Sequence, residues 1–414
     1  MKSERSANPR IAVSTHPIAE TIQARGCSIV MRRVEGQEAT ELFLHCQPAA
    51  ASAREQAESI YLALVDLLKA EGGSFASVVS ETLFMRSMQA DIAATRAARQ
   101  KVLEAEGLAK HRPATTAIEQ PPLRKQACLE VSVQAVVPRN GPLRAEVLDA
   151  QRSCACTECA SAHGLRFQVG EEVRLYAGGL CGHGATAYEQ TLTMFSSAED
   201  LLQKAGMEFS DVVRTWIHIR DIDRDYDDLN RGRREFFEAR GVDPVPASTG
   251  IGGGPVSEQH HLSLGIYAVK AESPPLRTVM TTPTLNEAPT YGADFVRGMK
   301  MVEANKVALH ISGTASIDEA GLTAHVGDFD AQADRMLVNI AALLEGQGAD
   351  FGDVVSAITY LKNPADVERL RAKLHGAGFD DIPIAMVNAD VCRPELLCET
   401  EVFAVLPVPA SSKA

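Results

Sequence analysis

Ser74-Phe75-Ala76-Ser77-Val78-Val79 reads as a polar turn leading into a β-strand, and the chain writes this pattern three times. It recurs as Glu208-Phe209-Ser210-Asp211-Val212-Val213 and again as Asp350-Phe351-Gly352-Asp353-Val354-Val355. Each copy follows a stretch with apolar residues three and four apart: Ile60/Leu64/Leu67/Leu68, Leu192/Phe195/Ala198/Leu202 and Leu337/Ile340/Leu344. That spacing marks one face of a helix. A fixed internal repeat outranks other signals, because it decides how many folding units the chain contains.

Working outward, the parallel continues. A second, polar helix is expected over 90–107, 223–240 and 363–376. Pro113-Ala114-Thr115, Pro246-Ala247-Ser248 and Pro383-Ile384-Ala385 then open short strands. Alternating strands close the units over 128–137, 261–269 and 397–405. The order per unit is β-β-α-β-α-β-β, an α+β layer with its helices on one side of the sheet. The expected organisation is a disordered lead-in (1–26), repeat 1 (27–138), a cysteine-rich linker (139–164), repeat 2 (165–271), a linker (272–290), repeat 3 (291–408) and a tail (409–414). Units this long are domains rather than solenoid repeats. Three open sheet faces in one chain suggest that the units cover each other as a single-chain pseudo-trimer.

Composition narrows the function. The 414 residues carry 41 basic and 54 acidic side chains, a net charge of −13. Such a field repels phosphate backbones, so nucleic acid is not an expected partner. No apolar run is long enough to span a bilayer, so no membrane partner is expected, and the lead-in lacks the apolar core of a secretory signal. Nine irregularly placed cysteines do not make a disulfide framework, and a reducing cytoplasm is the expected compartment.

The proline-led strand Pro113-Ala-Thr-Thr-Ala-Ile-Glu119, followed by Leu129-Glu130-Val131-Ser132-Val133, is similar to the closing half of proteins of the Rid (YjgF/YER057c/UK114) superfamily. Repeats 2 and 3 more specifically resemble chorismatases, the Rid-fold enzymes acting on chorismate. The matching stretches are Tyr291-Gly-Ala-Asp-Phe-Val-Arg297, Ser312-Gly-Thr-Ala-Ser316 and Ala389-Asp-Val-Cys-Arg-Pro-Glu-Leu-Leu-Cys-Glu399. The resemblance implies that Glu399 is the acid that protonates an enolpyruvyl methylene, with pyruvate released, and that Cys392 steers the product. It also implies a departure. Deaminating relatives carry an arginine two residues after the strand-opening proline, where this chain has Thr115, Ser248 and Ala385.

The residues that differ between repeats point to a site. In Val213-Arg214-Thr215-Trp216-Ile217-His218-Ile219, period two places Val213, Thr215, Ile217 and Ile219 under the helices and Arg214, Trp216 and His218 toward the other units. The counterparts of Arg214 are Ser80 and Ser356. An arginine beside an aromatic ring suits a planar carboxylate, with an inter-repeat salt bridge as the alternative reading. Glu399 aligns with Glu130 and Ser263. Glu399 and Glu401 lie two residues apart on one strand face, so each raises the other's proton affinity. A carboxyl lifted toward neutrality can serve as a general acid. Arg214, Arg297, Tyr291 and Trp216 are therefore expected around a small unsaturated carboxylic acid, with Ser312 or Thr249 supplying hydrogen bonds. The glycine-rich run from Gly250 to Gly254 either offers backbone N–H groups to the ligand or marks a tight bend. The charged run 221–234 reads as a solvated helix face.

No cofactor is required for that chemistry. Cys154-Ala-Cys156-Thr-Glu-Cys159, with Cys181 and His183 further on, could nevertheless hold zinc, copper or an iron–sulfur cluster, although its spacing matches no zinc ribbon. Three function classes follow. One is an enzyme at an inter-repeat cleft; one is a ligand- or metal-binding protein that has lost Rid chemistry. The third is the endoribonuclease activity attached to some Rid (L-PSP) relatives, which the acidic charge disfavours. A chain that already supplies three units is expected as a monomer or homodimer.

Overall fold

The computed structural model describes residues 17–150, 156, 162–271, 276–287 and 294–408. The first unit runs β1 (Ile18–Ala24), β2 (Cys27–Glu35), β3 (Ala39–Pro48), α1 (Ala53–Ala70), β4 (Val78–Met85), α2 (Met88–Ala105), β5 (Ala114–Glu119) and β6 (Leu129–Pro138). The second runs β7 (Ala145–Asp149), β8 (His163–Val169), β9 (Glu172–Cys181), α3 (Ala187–Lys204), β10 (Val212–Ile219), α4 (Ile222–Arg240), β11 (Ala247–Gly252), β12 (Gly254–Pro255) and β13 (Leu262–Lys270). The third runs β14 (Arg277–Met280), β15 (Gly298–Val302), β16 (Val307–Ala315), α5 (Phe329–Glu345), β17 (Val354–Leu361), α6 (Val367–Gly376), β18 (Ile384–Asn388) and β19 (Cys398–Leu406).

Three mixed sheets result, with matching strand orders: β1-β2-β3-β6-β4-β5-β12, β11-β10-β13-β9-β8-β7 and β14-β15-β16-β19-β17-β18. The helices and the strand order within each repeat are as the sequence predicts, with one correction made three times over. Every unit carries a further N-terminal edge strand, in segments read from sequence as lead-in or linker. Apart from the buried Met280, β1, β7 and β14 are exposed or half-buried and lack an apolar alternation, so periodicity could not find them. Pairing with β2, β8 and β15 creates them.

Each principal helix begins where chemistry tells it to. Ser52 and Glu55 form a capping box on α1, and Thr186 and Glu189 form one on α3. The helices bury their apolar faces on one side of each sheet, through Ile60, Leu64 and Leu68 in unit 1, Phe195, Leu201 and Leu202 in unit 2, and Ile340, Leu343 and Leu344 in unit 3. The opposite faces turn inward and meet. Val79, Val136, Phe167, Tyr176, Val213, Tyr267, Val296, Met299 and Ala308, from all three units, share one core.

Val213 corrects the simple period-two reading of β10. A bulge between Val212 and Arg214 leaves Val212 under the helices with Ile217 and Ile219, and turns Val213 toward the other units. β4 and β17 carry the same bulge after Val78 and Val354. A five-charge cluster also joins the units. Arg174 contacts Glu41, Glu172 and Glu303 at 2.8–2.9 Å, while Lys306 contacts Glu41 at 2.5 Å and Glu303 at 2.7 Å. The guanidinium is fully buried. Removing one member would strand charge in a dry interface, so the cluster fixes how the sheets face each other.

Candidate active site

A cavity of about 550 Å³ opens between the second and third units. From unit 2 it takes Ser248, Thr249 and Gly250 of β11 and Arg231, Arg233 and Arg234 of α4. From unit 3 it takes Arg297, Gly313 and Ala315, the loop residues Cys392 and Arg393, and Glu399 at the start of β19. Five arginines face two carboxylates, Asp227 and Glu399, in a chain whose net charge is −13. Such a lining favours an anionic ligand.

Glu399 is 5% exposed. Its carboxyl makes no hydrogen bond or ion pair among the described residues. Burial, and then the charge of Glu401, push its pKa up to about 8 against the opposing pull of Arg297 and Arg214. It therefore holds a proton at neutral pH. The close seat of this carboxyl depends on Gly313: a Cβ there would lie 2.0 Å from Glu399 Oε1.

Glu401 has the opposite environment. Arg214 Nη2 donates to its Oε2 at 2.9 Å, Trp216 Nε1 to its Oε1 at 2.8 Å, and the Tyr360 hydroxyl to Oε2 at 3.3 Å. Arg214 and Trp216 thus hold Glu401 and do not line the Glu399 cavity. They face a smaller cavity, about 140 Å³, where the three sheets meet. The expected carboxylate anchor at Arg214 is corrected to an inter-unit ion pair, one that presses charge onto Glu399. Thr249 joins the two regions, because its Oγ1 accepts from Arg214 Nη2 at 2.5 Å and from Gly313 N at 2.9 Å. With both lone pairs taken, its own proton is left to donate.

The other expected residues divide. Arg297 is 4% exposed and donates through Nε to Asn286 O at 2.9 Å, which fixes it in the cavity wall. Cys392 also lines the cavity; desolvation and Glu399 push its thiol up to about 12, so it is neutral there. Ser312 is spent elsewhere, accepting from Ser248 N and donating to Val296 O, and its expected substrate contact is withdrawn. Beyond Gly250, the glycine run mostly serves close packing. Gly252 N donates to Asp390 O and Gly253 N to Ile219 O.

Tyr291, Cys154 and Cys159 lie outside the described residues. Cys156 Sγ lies 3.2 Å from His260 Nε2, and Cys181 closes β9. Among the described residues, no group of three or more His, Cys, Asp or Glu side chains could hold a metal ion. No described helix is long and apolar enough to cross a membrane.

The sequence reading also missed residues. Arg231, Arg233 and Arg234 belong to the run read as a solvated face, yet Arg233 is 3% exposed and all three border the cavity. Three arginines within four positions were the available signal, against the single pairs that a solvated face needs. Arg393, beside Cys392 in the quoted motif, donates to Gly321 O at 2.8 Å and completes the basic wall.

Fold and cleft together define a three-unit α+β protein whose polar chemistry is gathered at an inter-unit junction. Comparison with known proteins agrees. The family model described as Endoribonuclease L-PSP matches residues 286–406. The chain is 31% identical over 244 residues to 3-hydroxybenzoate synthase of Streptomyces hygroscopicus, covering 51% of this chain and 68% of that one. It is 27% identical over 236 residues to a chorismatase of Streptomyces rapamycinicus, again covering 51% and 68%. A chorismatase crystal structure has the same fold, with a TM-score of 0.58 at 18% identity over 80% of this chain and 93% of that one. The chain belongs to the Rid superfamily, and within it to the chorismatase type.

Proposed function

We propose that this protein cleaves the enol ether of chorismate, or of a close cyclic enolpyruvyl carboxylate, in the cavity between units 2 and 3. The single observation that carries this reading is the Glu399 carboxyl, buried without a partner and raised to about 8 in a basic cavity. Carbon protonation needs an acid that is still protonated near neutrality and desolvated against its target.

In this reading Glu399 gives its proton to the methylene carbon, and the electron pair of the C=C bond forms the new C–H bond. The ether-bearing carbon becomes an oxocarbenium ion. Water adds to it, and the resulting hemiketal collapses to pyruvate as the ether C–O bond breaks and the ring oxygen leaves as a hydroxyl, taking the proton that the water gives up. Arg297 and the α4 arginines hold carboxylates, and the Thr249 hydroxyl donates to the substrate. Cys392, a neutral thiol, contacts the ring and biases which product leaves. The names borne by the two Streptomyces relatives and the resemblance at Cys392 support this role.

Pyruvate release can be followed by a lactate dehydrogenase-coupled assay. Glu399→Gln should lose about 10²–10⁴ in kcat, the usual worth of a general acid. Wild-type turnover in that variant would remove Glu399 from the mechanism. Cys392→Ala should keep pyruvate release within about tenfold while changing the ratio of aromatic to non-aromatic product, as read by liquid chromatography. An unchanged ratio would leave the thiol a packing residue. Because the three sheet faces already cover each other, the chain is proposed to be a monomer or homodimer. Light scattering should give 44.5 kDa or twice that, and an obligate trimer would contradict the pseudo-trimer argument.

A further inference from the structure

The cavity of about 140 Å³ where the three sheets meet shares no lining residue with the Glu399 cleft. Phe43, Trp216, Ile358, Val402 and Phe403 give it an apolar wall. Arg214, His218 and His310 interrupt that wall, and each is only 2–4% exposed. Arg214 Nη1, His218 Nδ1 and His310 Nε2 have no hydrogen-bond partner among the described residues. A buried polar atom without a partner costs the desolvation of that group, so three of them around one void call for a partner from outside the chain.

The repeats show that the fold does not need these nitrogens. His218 lies opposite Ser263 on the closing strand of its unit, as Phe84 lies opposite Glu130 in unit 1. His310 lies opposite Phe403 as Phe43 lies opposite Gln134. Unit 1 therefore packs a phenylalanine at each place where a histidine lines the cavity. Arg214 likewise stands where units 1 and 3 have Ser80 and Ser356. A plain ring serves the packing, and the nitrogens are what the histidines add.

Charge and size narrow the ligand. Arg214 and Glu401, paired at 2.9 Å, are the one cation and the one anion of the lining. Burial keeps the two imidazoles neutral, pushing His218 down to about 4 and His310 well below its ordinary value. A charged ligand would bring in a charge with no counterpart, at a large desolvation cost. A dry cavity of about 150 Å³ takes one benzene ring, which sets the size of what fits here.

We propose that the cavity where the three sheets meet is a second ligand site, which takes one small neutral hydroxylated ring, a phenol. A hydroxyl donates and accepts at once, so it serves both a neutral imidazole and the guanidinium N–H, while the ring lies against the apolar wall.

Phenol itself is the probe, and Trp216, the only tryptophan in the chain, is the reporter from the cavity wall. Phenol titrated into the full-length protein should change Trp216 emission, excited beyond the absorption of phenol, along a saturable one-site curve. Benzene should bind in the same place about tenfold more weakly, the worth of one hydrogen bond. The double variant His218→Phe/His310→Phe, which copies the residues of unit 1, should erase this preference for phenol. If it fails to fold, the single variants still read the loss, and the comparison of phenol with benzene needs no variant. Benzoate, the same ring with a charge, should not displace phenol. Emission that does not saturate, as for a cavity that holds only water, overturns the proposal. So do equal affinities for phenol and benzene in wild type, a preference that survives in every histidine variant, or displacement of phenol by benzoate at lower concentration. Binding is read at equilibrium and away from Glu399, so the result does not depend on Glu399 being the acid.

Discussion

Glu399 and Glu130 hold the same place in their units, one opposite Tyr360 and the other opposite Phe84 on the neighbouring strand, and they meet opposite fates. Glu130 is 2% exposed and paired on both oxygens: His45 Nε2 reaches Oε2 at 3.0 Å, and Arg124 Nε reaches Oε1 at 2.7 Å. Glu399 is equally buried but has no partner, and its neighbour Glu401 has taken Arg214 and Trp216. The repeated fold thus offers equivalent strand positions, and the supply of partners decides which carboxyl becomes an acid. A paired carboxylate is a structural ion; an unpaired one beside a negative charge keeps its proton.

The contrast is widest in turnover. Glu130→Gln should leave pyruvate release within about twofold, where Glu399→Gln loses orders of magnitude. Comparable losses in both variants would mean that the variants act through folding and that the cleft assignment is unsupported. Next in size is an effect on stability. His45→Ala strips one hydrogen-bond partner from a buried carboxyl, a loss that costs about 1–3 kcal/mol. Urea denaturation should show a lower midpoint with an unchanged slope. A variant as stable as wild type would mean that Arg124 alone suffices for Glu130, and the difference between the two glutamates would then be smaller than their geometry implies.

The fold was largely legible because repetition is robust to local ambiguity. The Phe-x-(Ser/Asp)-Val-Val turn and the helical spacing before it need no knowledge of what lies across the interface. The edge strands β1, β7 and β14 were not legible, since pairing rather than pattern makes them strands. Within the site, Glu399, Arg297, Cys392, Thr249 and Gly250 could be read from differences between units and from the resemblance, and the structure places all five on one cavity. Arg214 and Ser312 were misassigned for one physical reason. Sequence says that a polar group faces an interface, but not whether a neighbouring unit has already satisfied it. Arg233 escaped in the reverse way: three arginines within four positions mark a cluster, but nothing in a charged helix says that another unit will cover it.

The smallest effect tests the electrostatics of the comparison most directly. In the folded chain, burial and the charge of Glu401 raise the Glu399 pKa from the ordinary 4.5 to about 8. Below pH 4.5 the carboxyl is protonated in both folded and unfolded chains, and its full contribution to stability is present. Between 4.5 and 8 the unfolded chain releases the proton while the folded chain keeps it, so stability is lost as pH rises, and the loss is complete just above 8. Glutamine cannot ionise and escapes this penalty. Glu399→Gln should therefore match wild type near pH 4 and exceed it increasingly toward pH 9, by on the order of 1–3 kcal/mol. Thermal midpoints of the two proteins across that pH range decide the matter. A flat difference between Glu399→Gln and wild type would mean that the Glu399 carboxyl ionises as it does in water, and the cavity would then hold a carboxylate base where an acid is required.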